Sequence, residues 1–240
     1  MINRFVLISL LLLFSLNIKA QNSDTLRIES FSYKKAILPL ACIGAGILLN
    51  NSQLEKNFQD NLRNTVGNTF DFPIDDYVQF APIAEMFIAD LAGIKSKNHW
   101  FDQSKYLFIS NLISSSITHG LKNLTLKTRP NGGQLSFPSG HTTLAFTNAA
   151  VVYNEFQQSS PILAYSSYAF AITTASFRMI NNKHWLSDVL VGAGIGIIVT
   201  HLVYYFEPLK SFNPFEKSEN ITLLPYMEDE NYGFYFSYKF

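Results

Sequence analysis

Three uncharged stretches limit what this chain can fold into. Residues 36–54 run nineteen positions between Lys35 and Glu55, residues 106–121 run sixteen between Lys105 and Lys122, and residues 189–206 run eighteen. Such runs are too long for ordinary strands, and they sit at or just below the roughly 20 residues that a membrane-spanning helix needs. Pro39, Gly44 and Gly46 interrupt the first, Ser114, Ser115 and Ser116 the second, and Gly192 and Gly196 stand at GxxxG spacing in the third. That last spacing permits close approach of two helices. Shorter helical stretches lie at 77–93, which carries Glu85 and Asp90, and then at 141–154 and 161–177. The expectation is an all-α bundle of five to six helices of about 14 to 20 residues, with a membrane bundle favoured over a soluble helical domain that has a membrane-facing side.

Composition fits either form. Only 15% of the 240 residues are charged, against about a quarter in an ordinary globular chain, and 48% are hydrophobic. A chain this apolar can bury enough surface to offset its ordering entropy, which excludes disorder. Eighteen basic and eighteen acidic residues cancel, which leaves no electrostatic footprint for nucleic acid. Cys42 is alone, so neither a disulfide framework nor a multi-cysteine zinc site is available.

The two ends differ from the middle. Residues 1–20 carry Arg4, an apolar run from Phe5 to Leu16 and small Ala20, the layout of a signal peptide cleaved after Ala20. A retained anchor is the alternative, and either way the body is exported, in a bacterial cell to the periplasmic side. Residues 21–35 read as a polar lead-in and residues 36–210 as the helical domain. At the far end Phe234, Phe236, Tyr238 and Phe240 recur with period two, so residues 219–240 are expected to form a β-hairpin packed on the helical body.

Chemistry concentrates in three clusters. Lys122 and Arg129 are seven apart and precede Pro130, so on a continuous helix they would share one side before proline stops it. Alone, that is a basic helix end. Pro138-Ser139-Gly140-His141 opens a helical run, which brings a hydroxyl, free backbone N–H groups and the positive dipole end together as an anion site. Alone, it is a capped helix start. In the third cluster Arg178 precedes His184 and Asp188, which are four apart. A carboxylate at that spacing can accept the imidazole Nδ1 hydrogen and leave Nε2 free, while Arg178 offers a planar fork to phosphoryl oxygens. Alone, it is a surface pair at a helix start. Together, the fixed cations and donors call for an anion of phosphoryl size. These features leave open which histidine would be a nucleophile.

The order Lys-x6-Arg-Pro, Pro-Ser-Gly-His, Arg-x5-His-x3-Asp resembles the type 2 phosphatidic acid phosphatase and vanadium haloperoxidase superfamily, from about Ala36 to Phe206. The resemblance implies that His184 attacks phosphorus to form a phosphohistidine, that Asp188 orients it, and that His141 protonates the leaving alkoxide and then activates water. It implies that Lys122, Arg129, Ser139, Gly140 and Arg178 hold the phosphoryl oxygens, with no metal and no cofactor. One position departs from the pattern: Phe177 stands where the family usually has Ser, with Ser176 one step earlier. His99, His119 and His201 match no motif and are expected to be structural.

The leading expectation is therefore a phosphatase of membrane lipid phosphates or pyrophosphates, working at the periplasmic face, with phosphatidic acid, phosphatidylglycerol phosphate, undecaprenyl pyrophosphate and lipid A as candidates. Expected partners are that phosphorylated substrate and the membrane, with no nucleic acid; no feature speaks to oligomeric state. A soluble periplasmic acid phosphatase of broad specificity and a non-catalytic envelope scaffold are the competing readings. A haloperoxidase ranks low, because family members with that activity are generally much longer.

Overall fold

The computed structural model describes residues 33–206, 209, 221–228 and 231–238. Among them eight helices follow one another: α1 (Lys34–Leu49), α2 (Gln53–Val66), α3 (Asp75–Val78), α4 (Ala81–Leu91), α5 (Trp100–Thr125), α6 (Gly140–Phe156), α7 (Pro161–Ile180) and α8 (Leu186–Tyr205). The expected signal peptide, and most of the polar lead-in, lie outside the described residues.

This corrects the expected helix count. The described residues form eight helices rather than five or six. The two additional helices, α2 and α3, fall largely within the polar residues 57–76, which the expected helical stretches leave out. Ser52 caps α2 by accepting from the Glu55 N–H at 3.1 Å, and Asn51 at φ 63° turns the chain before it, so α1 and α2 meet at 92°. Among the described residues only α8 is long and apolar enough to cross a membrane, or two spans if the bent α1–α2 pair counts, and 78% of the apolar stretch of α8 is buried inside the protein. Its apolarity is that of a core helix, hydrophobic on all sides because protein surrounds it. From Lys34 to Tyr205 the described chain is helical and strand-free, and its two strands come after it. Residues Ile221–Glu228 and Asn231–Tyr238 pair antiparallel beyond it, Ile221 opposite Tyr238.

Helix α8 lies between α1 and α6, and its glycines make this possible. A Cβ on Gly194 would come within 2.6 Å of the Pro39 carbonyl of α1. On Gly192 and Gly196 it would meet the start of α6, at 2.8 Å from the Ser139 carbonyl and 2.7 Å from the Thr143 carbonyl. The GxxxG spacing is thus a real close approach, and it seats the start of α8 against the start of α6. Gly196→Val is expected to lower unfolding free energy by about 1–3 kcal/mol, since backbone atoms cannot step aside. Gly44→Ala, with nothing within 4 Å, should be neutral or slightly stabilising. Thermal unfolding of the two variants checks the contrast.

Apolar clusters hold the rest. Met86, Val151, Val152, Phe156 and Ala164 join α4, α6 and α7, while Tyr106, Val191, Ile195, Val199 and Val203 join α5 to α8. The starts of α6 and α8, the end of α7 and the last turns of α5 consequently meet at one end of the bundle, where α3 closes over them.

Candidate active site

Lys122, Arg129, Gly140, His141, Arg178 and His184 line one cavity of about 440 Å³. Five different segments of chain supply them. Lys122 sits in the last turn of α5, where its Nζ donates to the Leu135 carbonyl at 2.6 Å and the Ser136 carbonyl at 3.4 Å. Burial and the neighbouring Arg129 guanidinium push its ammonium down to about 8. Arg129 does not share that helix, in contrast to the expectation from continuous periodicity. The helix ends at Thr125, Leu126 takes a left-handed φ of 49°, and a loop returns Arg129 to the cavity with its Nε donating to the Gln134 carbonyl at 3.1 Å.

Ser139 and Gly140 begin α6 as expected, but their parts differ. Ser139 is wholly buried and is not among the residues that line the cavity. Its hydroxyl caps the helix, accepting from the Thr142 N–H at 3.4 Å and the Thr142 hydroxyl at 2.9 Å. Its own N–H donates to the Asp188 carbonyl at 2.9 Å, which ties the second cluster to the third. Gly140 and His141 face the open space.

A tight turn after α7 connects Arg178 to His184, for both the Lys183 and His184 N–H groups donate to the Arg178 carbonyl, at 3.0 and 3.2 Å. His184 is 1% exposed. Its Nδ1 lies 3.3 Å from Asp188 Oδ2, which also accepts from the Trp185 N–H at 2.9 Å and from the Ser136 hydroxyl. Nε2 is the ring nitrogen left for the cavity. Burial pushes the imidazole down to about 4, against the pull of Asp188, so at neutral pH the ring is uncharged. Arg178 is also buried. One Nη reaches Asp75 Oδ2 at 2.5 Å and Asp76 Oδ1 at 3.4 Å, while its buried Nε has no partner among the described residues. A buried guanidinium N–H without an acceptor is costly unless an anion takes it.

Several neighbours carry no motif signal. Asp76, from α3, places Oδ1 2.8 Å from His141 Nε2. Burial and Arg178 lower the His141 pKa, and Asp76 and Asp75 oppose them. His119, expected to be structural, lines the cavity one turn before Lys122. The i to i+3 spacing on one helix was the available signal. His99 caps α5 and His201 is buried beside Asn154. Phe177 turns its ring to Phe72, centroids 6.2 Å apart, so an aromatic contact replaces the usual hydroxyl.

Comparison with known proteins follows the same clusters. Residues 127–211 match the PAP2 superfamily. Over 170 residues, 68% of its length, the chain is 31% identical to a lipid A 1-phosphatase of Porphyromonas gingivalis. It spans 38% of that relative's length. Among solved structures, LpxE of Aquifex aeolicus is 19% identical, with 61% of this chain and 94% of that one covered at a TM-score of 0.47. The transmembrane PAP2-type phosphatidylglycerolphosphate phosphatase of Bacillus subtilis is 15% identical, covering 77% of this chain and all of its own at a TM-score of 0.48.

Proposed function

The chain carries a PAP2 superfamily domain, and on that premise we propose that it is a phosphatase whose substrate is a phosphate group on a lipid. The observation that carries the proposal is the convergence of Lys122, Arg129, Arg178 and two histidines on one cavity, with the Arg178 Nε–H unpartnered among the described residues. Three cations and the Gly140 N–H at a helix start supply the fixed positive field that a phosphoryl group needs as charge shifts onto its oxygens. Metal-independent turnover is the expectation, because those cations take the electrostatic part.

In the proposed sequence His184 Nε2 attacks phosphorus, forming an N–P bond as the P–O bond to the alcohol breaks. Asp188 holds the Nδ1 hydrogen and stabilises the cationic ring that results. His141 gives its proton to the leaving oxygen, then takes one from the water that attacks phosphohistidine and frees phosphate. Ser139, walled into the helix cap, acts through the placement of Gly140 rather than through its hydroxyl.

The cavity mouth supports a lipid. Phe80 and Leu144 line it, and Phe80 is 48% exposed. Along α5, the helix that carries Lys122, Phe108, Leu112 and Leu124 are all more than half exposed. This apolar margin, together with the lipid A 1-phosphatase relative, supports a glycolipid phosphate as the first candidate and the exported face of a membrane as the place of action. Phosphate release from lipid A, phosphatidic acid, phosphatidylglycerol phosphate and a soluble aryl phosphate, with EDTA present, tests this. Release from a lipid at least about tenfold faster than from the aryl phosphate supports it. Equal or faster hydrolysis of the aryl phosphate, by protein that salt washing frees from membranes, would turn the reading to a soluble acid phosphatase.

The two histidines also fix a pH profile. Below about pH 4 His184 is protonated and cannot attack. His141, lowered from its ordinary 6.5, loses the proton it must donate as pH rises toward neutrality. kcat/KM is therefore expected to peak on the acid side of pH 6.5, after correction for the substrate's own ionisation near pH 6. A maximum above pH 8 would contradict these assignments.

A further inference from the structure

Two buried charges lie behind His184 and take no part in the steps above. Lys127, in the loop after α5, is 9% exposed, and Glu55, in the first turn of α2, is 1% exposed. Lys127 Nζ stands 2.8 Å from Ser187 Oγ, 3.1 Å from Asp188 Oδ1 and 3.1 Å from Glu55 Oε2, one acceptor for each ammonium proton. Glu55 Oε1 accepts the Ser187 N–H at 2.8 Å, and Oε2 also accepts the Asn51 N–H at 3.0 Å. The Ser187 N–H is one of the first-turn donors of α8 that no helical carbonyl serves. Glu55 thus caps, from another helix, the helix that begins beside the His184–Asp188 pair.

We propose that Lys127 and Glu55 are a positioning pair: they keep Asp188 anionic and turned so that one oxygen faces His184 Nδ1. The two oxygens of Asp188 divide accordingly, Oδ1 toward Lys127 and Oδ2 toward His184 and the Trp185 N–H. Without Lys127, Asp188 loses the cation on Oδ1 in a buried site, which disfavours its ionised form. A protonated Asp188 no longer holds the imidazole in the tautomer that leaves Nε2 free. Without the charge of Glu55, Lys127 leans on Asp188 alone and weakens its hold on the ring. Neither residue lines the cavity, so the pair acts on turnover and not on substrate binding. Glu55 also lies outside the matched residues 127–211, which makes α2 a working part of the site.

The consequence for turnover rests on the proposed phosphatase reading; the consequence for the histidine does not. Heteronuclear NMR of isotope-labelled histidine in detergent micelles reads the second directly. Wild-type His184 is expected in the Nδ1–H tautomer, Lys127→Met is expected to lose it, and Lys127→Arg to retain it. In the lipid phosphatase assay Lys127→Met is expected to lower kcat by about 10–100-fold with KM nearly unchanged, and to cost nothing further in an Asp188→Asn background. Glu55→Gln, isosteric and still able to accept from the Ser187 N–H, keeps the test open should Lys127→Met fail to fold, with an expected loss of about tenfold in kcat. An unchanged His184 spectrum in folded Lys127→Met or Glu55→Gln protein overturns the proposal, as does a loss that adds in full to that of Asp188→Asn. If wild type releases no phosphate, the function falls while the spectra still decide the positioning.

Discussion

Replacing His184 with alanine is expected to reduce phosphate release by at least about 10⁴-fold while leaving the fold and the anion seat in place. The size of the effect follows from its position. It is the ring in the cavity with a buried carboxylate behind it, and burial keeps it uncharged and nucleophilic at neutral pH. His141 cannot substitute, because its Nε2 is engaged by Asp76. Removing the ring does not orphan Asp188, whose Oδ2 keeps the Trp185 N–H and Ser136 hydroxyl and whose Oδ1 keeps Lys127. Unfolding midpoints should therefore move little. Lys122, Arg129 and Arg178 remain, so inorganic phosphate or vanadate should still bind. A variant that loses turnover yet keeps anion binding separates the nucleophile from the cradle in one comparison.

Arg178→Ala is expected to fail in both respects. The residue is 5% exposed and has two tasks, the cavity through Nε and the α3 carboxylates through Nη1. Loss of a donor group aimed at the developing charge costs about 10²–10³ in kcat. Loss of the ion pair leaves Asp75, 1% exposed, with the Asn181 amide at 2.7 Å in place of a cation. Breaking a buried pair from one side costs about 3–5 kcal/mol, a large fraction of the roughly 5–15 kcal/mol that holds a domain folded. Asp75→Asn in the same chain removes the unpaired charge and should recover much of the stability but none of the activity. Denaturant unfolding and steady-state kinetics on the single and double variants resolve the two losses. Equal activity in Arg178→Lys and wild type would show that the fork geometry is not used.

How much of this was legible in the sequence varies with the kind of signal. Lys122, Arg129, His141, Arg178, His184 and Asp188 were readable because each sits in a short spacing with a physical meaning, and the bundle brings all but Asp188 to one cavity wall. Asp188 stands one layer behind, as an orienting carboxylate would. The glycines of α8 were readable as a close approach, although not which helix they approach. Polar residues 57–76 carry no long apolar run and so gave no helix signal. The Ser52 cap and the burial of Glu55 and Gln59 against the end of α7 and the start of α8 make α2 a helix. Apolarity had two meanings at α8, a span or a core, and 78% of its apolar stretch is enclosed by protein. Glu55, Asp75, Asp76 and Lys127 were invisible for a different reason. Their partners in and behind the site lie between 60 and 132 positions away, and no local spacing encodes such pairing.

The central claim is that phosphate passes through His184. Substrate carrying radiolabelled phosphate, mixed with enzyme and quenched in alkali within a turnover, tests it most directly, because phosphohistidine survives base and is lost in acid. The account predicts acid-labile, base-stable label on the peptide that contains His184, absent from His184→Ala protein and accumulating in His141→Ala protein that cannot activate water. Turnover without any such label, or label retained in His184→Ala protein, would contradict it.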